Sequence, residues 1–159
     1  MKRSTDPIAQ LMQEHNDALL QLKLMNKAAQ TLAQDGYSVK VFNQMSAALH
    51  FIEEEVSVHN RKEEQALFPV LERYVDGPTR IMRDDHKQLR KGFQKLSKAI
   101  ADVEANRDSF SAIKRLRDVA KTVVQMFVNH IHKENYILFP LVQKLLDKDE
   151  LREVAKKMI

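Results

Sequence analysis

The stretches HNRKEEQALFP, at 59 to 69, and HIHKENYILFP, at 130 to 140, each set a histidine four residues before a glutamate and then run into Phe-Pro. Positions i and i+4 of a helix are neighbours on one face, so His59 with Glu63, and His130 with Glu134, can aim an imidazole and a carboxylate at one point. Those are the donors of mixed-ligand sites for divalent transition metals. The sequence contains no cysteine, which excludes disulfides, thiolate nucleophiles and thiolate ligands. A metal held by this chain must be held by histidine, carboxylate or water.

Two further histidines join the pattern. His15 and His86 are separated by 71 residues, the same offset that relates His59 to His130, Glu63 to Glu134 and Phe68-Pro69 to Phe139-Pro140. A constant offset shared by all these features reads as a duplicated helical hairpin.

The elements that must position these groups are helices. Only three Gly and four Pro occur in 159 residues, and 30% of residues are charged, a composition rich in helix formers. Asp6-Pro7 can cap and start a first helix over about 7 to 34, stopped by Gly36. Ser38 can cap a second, which runs to about Tyr74 with a kink or break near Pro69 and ends at Asp76-Gly77-Pro78. A third runs from Thr79 to about Glu104, a fourth from its cap Ser109 to about Leu146, and a short one begins near Lys148. Apolar residues recur at three- and four-residue steps: Ile8, Leu11, Ala18, Leu22, Met25, Ala29 and Leu32 in the first helix, and Met82, Leu89, Phe93, Leu96, Ile100 and Val103 in the third. The second carries Met45, Leu49, Ile52, Val56, Ala66 and Val70, and the fourth Leu116, Ala120, Val123, Phe127, Ile137, Leu141 and Leu145. The expected fold is all-α: an up-down-up-down four-helix bundle made of two repeated hairpins, with a short C-terminal helix, as one domain over 1 to 159.

The gaps in these seams are His15, His59, Glu63, His86, His130 and Glu134. In an up-down-up-down bundle the starts of helices one and three share an end with the finishes of helices two and four, so all six reach a similar depth. Burying four imidazoles and two carboxylates unpaired would cost several kcal/mol each. A metal site satisfies them together. Two bridging carboxylates give each of two ions two nitrogens and two oxygens, a set that suits iron or manganese, whereas one tetrahedral zinc leaves donors unused. The residues point to a non-haem di-iron centre; manganese or zinc can occupy it in recombinant material.

The net charge of +4 comes from Lys and Arg interleaved with Asp and Glu, which reads as a solvated surface and not as a nucleic-acid footprint. The start, MKRSTDPIAQLMQEH, lacks an apolar core, and no stretch approaches a membrane span. The expected location is the cytoplasm, with no nucleic-acid or membrane partner.

The spacing His15, His59-x-x-x-Glu63, His86, His130-x-x-x-Glu134, with Phe-Pro after both pairs, resembles the hemerythrin-like, or HHE cation-binding, domain over nearly the whole chain. That resemblance implies a bundle holding two irons, carboxylate- and oxo- or hydroxo-bridged, with the four histidines as terminal ligands and Glu63 and Glu134 as bridges. Oxygen-carrying hemerythrins have a fifth histidine one turn after the one matching His86; here the position is Arg90. The departure turns the expectation away from oxygen carriage and toward binding or reaction with a small diatomic or peroxide, in stress response or sensing. The alternative is iron storage or handling, or a metal-dependent regulatory module without turnover. Di-iron proteins of the family that repair iron centres carry an additional N-terminal segment with cysteines, which this sequence is expected to lack. Glu55, one turn before His59, is a candidate for the surroundings of the metals. Glu14 and Asp85 are expected to be solvated charges, because neighbours in sequence do not face each other on a helix. His50 and His132 are expected at the surface, and Tyr74 and Tyr136 at helix edges.

Overall fold

The computed structural model describes residues 6–159. Four long rods make the expected up-down-up-down bundle, and no strand occurs among the described residues. Helix α1 is Pro7–Asp35, capped by the Asp6 side chain and stopped at Gly36, whose φ of 86° suits glycine. Helix α2 is Val39–Lys62, begun by Ser38, and after an interruption it continues as α3, Phe68–Leu71. Helix α4 is Gly77–Ala105 and α5 is Phe110–Lys133, begun by Ser109. After a second interruption α5 continues as α6, Phe139–Leu145, and α7, Lys148–Lys157, follows behind an Asp147–Glu150 capping box. Asp76-Gly77-Pro78 starts α4 two residues before the expected Thr79; the chain leaves the preceding helix near Leu71.

Both interruptions are π turns, Glu63–Leu67 and Glu134–Leu138, each beginning on a candidate ligand. The amide of Phe68 reaches back five residues to the carbonyl of Glu63, and that of Phe139 to Glu134. The widened turn comes just before Pro69 and Pro140, whose rings would clash with the carbonyl four residues back in a regular helix. The expected kink at Pro69 therefore lies one turn upstream, and it corrects the fourth seam. Ile137 is 62% exposed, while Leu138, Val142 and Leu146 are buried in place of Ile137, Leu141 and Leu145. One extra residue in the turn moves every later position on by one. Before the π turns all the expected seam residues are buried.

The apolar interior is divided. One cluster, with Leu22, Met25, Met45, Leu96 and Leu116, fills the bundle on one side of the six polar residues. A second, built on Phe68, Leu71, Phe139 and Val142, lies on the other side and is closed by Val154 and Met158 around α7. Helix α1 packs along α2 and α5, and α4 along α5, whereas α2 and α4 meet sparingly and leave a cleft of about 560 Å³ between them. No helix among the described residues is long and apolar enough to cross a membrane.

Candidate metal centre

His15, His59, Glu63, His86, His130 and Glu134 are all buried and converge in the layer between the two clusters, with both glutamates at 0% exposure. They form two groups of four, His15 with His59 and His86 with His130, and each group includes both Glu63 and Glu134. Within a group, donor atoms from all four residues lie within 4.8 Å of one another. His59 Nε2 is 3.2 Å and His86 Nε2 3.3 Å from Oε1 of Glu63, and His15 Nε2 is 3.3 Å and His130 Nε2 2.7 Å from Oε1 of Glu134. Each glutamate thus lies within 3.3 Å of one histidine of each pair.

The outer ring nitrogens fix what the inner ones offer. Nδ1–H of His59 donates to Glu14 at 2.9 Å, that of His130 to Asp85 at 3.0 Å, that of His86 to Glu64 at 2.9 Å, and that of His15 to Oδ1 of Asn135 at 2.8 Å. With a proton held on Nδ1 by its acceptor, each ring turns Nε2 inward, the atom that can offer a lone pair to a cation. Lys62 and Lys133 hold Glu14 and Asp85 in turn, at 2.7 and 2.6 Å. Phe139 stacks on His15 and Phe68 on His86, so the residues after each glutamate wall in the histidine of the opposite hairpin.

The inner atoms test the fit of a cation. All four oxygens of Glu63 and Glu134, and Nε2 of His86 and His130, are buried without a hydrogen bond, even where an oxygen and a nitrogen approach closely. His15 and His59 bring their Nε2 atoms within 3.1 Å of each other. Lone pairs crowded among carboxylates, with no donor in the layer, need positive charge. A divalent ion fits this set; without one, protons must serve. Burial pulls the His59 imidazole down, but the charge of Glu63 and the contacts with Glu14 and Glu63 outweigh it and push the ring up to about 10. Burial likewise opposes His130, yet Glu134 and Asp85 carry it to about 9. Glu63 is pushed up by burial, but the charge of His59 and its other neighbours hold it well below the usual carboxylate range.

These shifts predict how the metal-free protein responds to pH. The raised histidines contribute stability that is complete below about 6.5 and lost as pH rises through about 9 to 10. The depressed Glu63 contributes stability above about 4.5 that is lost in acid. Thermal melting of stripped protein should therefore be highest between these limits and fall by several degrees toward pH 10. Cation affinity should rise over the same alkaline range, because binding displaces the protons. Flat melting from pH 6.5 to 10 would contradict the geometry.

The hemerythrin HHE cation-binding domain is the family whose model matches, over residues 6–142. The chain belongs to that family. Curated relatives of this HHE chain include the iron-sulfur cluster repair protein YtfE of Yersinia pseudotuberculosis (serotype IB, strain PB1/+) and that of Yersinia pestis (strain Pestoides F). Each is 26% identical over 137 residues, 84% of this chain and 61% of the relative. The HHE chain thus spans about six-tenths of the length of these relatives.

Two expectations about the surroundings of the HHE site are corrected. Glu14 and Asp85 are not free charges: each contacts a histidine of the neighbouring helix, so the rule about adjacent residues on one helix did not apply. Glu64 and Asn135 were missed as well; the signal was there, since all four, with Lys62 and Lys133, recur at the 71-residue offset. Glu55 is exposed, makes no hydrogen bond or ion pair among the described residues, and lines a small pocket of about 20 Å³ that reaches His15, His59 and Glu134. Arg90 is exposed along the α2–α4 cleft, whose lining includes His86 and Arg61. His50 and His132 lie at the surface, against Glu54 and Tyr136, and Tyr74 and Tyr136 are exposed.

Proposed function

We propose that this chain is a non-haem di-iron protein that binds or reacts with a small oxidant such as oxygen, nitric oxide or peroxide. His15 and His59 would hold one iron, His86 and His130 the other, and Glu63 and Glu134 would bridge them. The observation that carries this reading is the sharing of two fully buried, hydrogen-bond-free carboxylates between two pairs of inward-facing imidazoles. Two irons held this way would supply reversible one-electron chemistry and open coordination positions. The protein's part is to fix the rings through Glu14, Asp85, Glu64 and Asn135, and to exclude bulk water with Phe68, Phe139 and the two apolar clusters. The α2–α4 cleft would give a small molecule an approach toward His86. Iron handling without turnover is the second reading, favoured by relatives named for iron-sulfur cluster repair.

Protein purified from iron-replete cells should contain about two irons per chain, and its optical spectrum should change on adding peroxide or nitric oxide. One tightly bound zinc and no iron under those conditions would overturn the di-iron reading. Two irons whose spectrum ignores both reagents would favour handling over reaction.

A further inference from the structure

Resting on that di-metal reading, we infer that the two half-sites hold divalent ions with unequal strength: the His86–His130 half-site is the tight one, and the His15–His59 half-site is the exchangeable one. The chain can then surrender or replace a single ion while keeping the other.

The 71-residue offset supplies an internal control. Around His59 and His130 the outer groups match in type and charge: Glu14 and Lys62 in one half, Asp85 and Lys133 in the other. The aromatic partners of His15 and His86 match too, as Phe139 and Phe68. The bridging glutamates serve both ions alike. One pair breaks the match. His86 donates to the Glu64 carboxylate at 2.9 Å, whereas His15 donates at 2.8 Å to the neutral amide oxygen of Asn135. At this outer pair the hydrogen-bond length is preserved and the charge differs.

An anion on Nδ1–H pushes electron density onto Nε2 and adds a compensating negative charge close to the ion; a neutral carbonyl does less of both. Outer partners of this kind are worth about 10- to 100-fold in metal affinity. Other charges do not reverse the order. Arg83 spends its guanidinium on Glu72 and touches only the backbone carbonyl of Glu64. Arg61 and Arg90, on the cleft lined by His86, are exposed, so solvent and salt screen them far more than the direct Glu64 bond. Access does not set the order either, since the small pocket bordered by Asp17 and Glu55 touches His130 as well as His15 and His59, and the α2–α4 cleft reaches His86.

Stepwise cobalt(II) binding to the stripped full chain, followed anaerobically against a chromophoric chelator, tests this. Repulsion between two close dications separates the two steps even in a symmetric site, so the variants decide and the wild-type gap does not. The first step reports the tight half-site and the second the weak one. Asn135→Asp should strengthen the second step about 10- to 100-fold and leave the first within a statistical factor of about two. Glu64→Gln should weaken the first step by a similar factor and spare the second. If the half-sites were equal, Glu64→Gln would weaken the second step instead, and that result overturns the inference, as does an Asn135→Asp protein with an unchanged second step. Should Asn135→Asp fail to fold by circular dichroism, the step affected by Glu64→Gln decides alone. Fewer than two cobalt ions on saturated wild type would instead remove the di-metal reading and the inference with it.

Discussion

Glu63→Gln should lose both ions at concentrations that saturate the wild type, while Glu55→Gln should keep them. Oε1 of Glu63 lies 3.2 Å from Nε2 of His59 and 3.3 Å from Nε2 of His86, so one side chain belongs to both half-sites. Glutamine keeps the volume but carries no charge and offers one oxygen, which cannot span two cations. The expected loss of affinity is on the order of a hundredfold or more, above the typical cost of an outer hydrogen-bond partner. Glu55 sits four residues earlier, exposed and without a hydrogen bond, and provides the matched control. Metal content after dialysis against a weak chelator reads the outcome. Two ions retained by Glu63→Gln would mean that this carboxylate does not bridge.

The second large effect is on melting. The layer places the oxygens of Glu63 and Glu134 and Nε2 of His86 and His130, buried and without hydrogen bonds, between two apolar clusters, so the folded chain is the state that recognises the ion. A ligand bound only by the folded state at a thousandfold over its dissociation constant adds about 4 kcal/mol, which for a domain of this size is roughly 8–16 °C for one ion. Stripping and reloading the protein, with metal content verified at each stage, should move the melting temperature down and back up by at least that amount. Identical melting of both forms would place the donors elsewhere than in a closed interior.

What the sequence disclosed follows from where periodicity holds. From Ile8 to Leu32 and from Met82 to Val103 the seams were readable because an unbroken helix repeats its face, and the polar residues interrupting them marked the site. Ile137, Leu141 and Leu145 misled because the π turn at Glu134–Leu138 consumes one extra residue. Nothing in ENYIL announces that except the proline that follows, which predicted a disturbance and not its pitch. Glu14 and Asp85 were misjudged for another reason. A charge beside His15 in sequence serves His59 on the next helix, and contacts between helices leave no mark on the helical wheel of either one.

The π turns also give the two rods that contain them, α2–α3 and α5–α6, two angular phases each. A helix advances about 100° per residue, so one residue taken up in a widened turn rotates all that follows by about that angle relative to what precedes it. His59 is in phase with Val56 and Ile52 and belongs to one cluster's azimuth; Phe68 and Leu71 are in phase with the cluster closed by α7. Glu63 and Glu134 stand at the boundary between the two phases, as atoms stand at a dislocation between two crystal blocks. A polar layer disrupts apolar stacking wherever it is inserted, and this chain puts it at the one level where the stacking already changes direction.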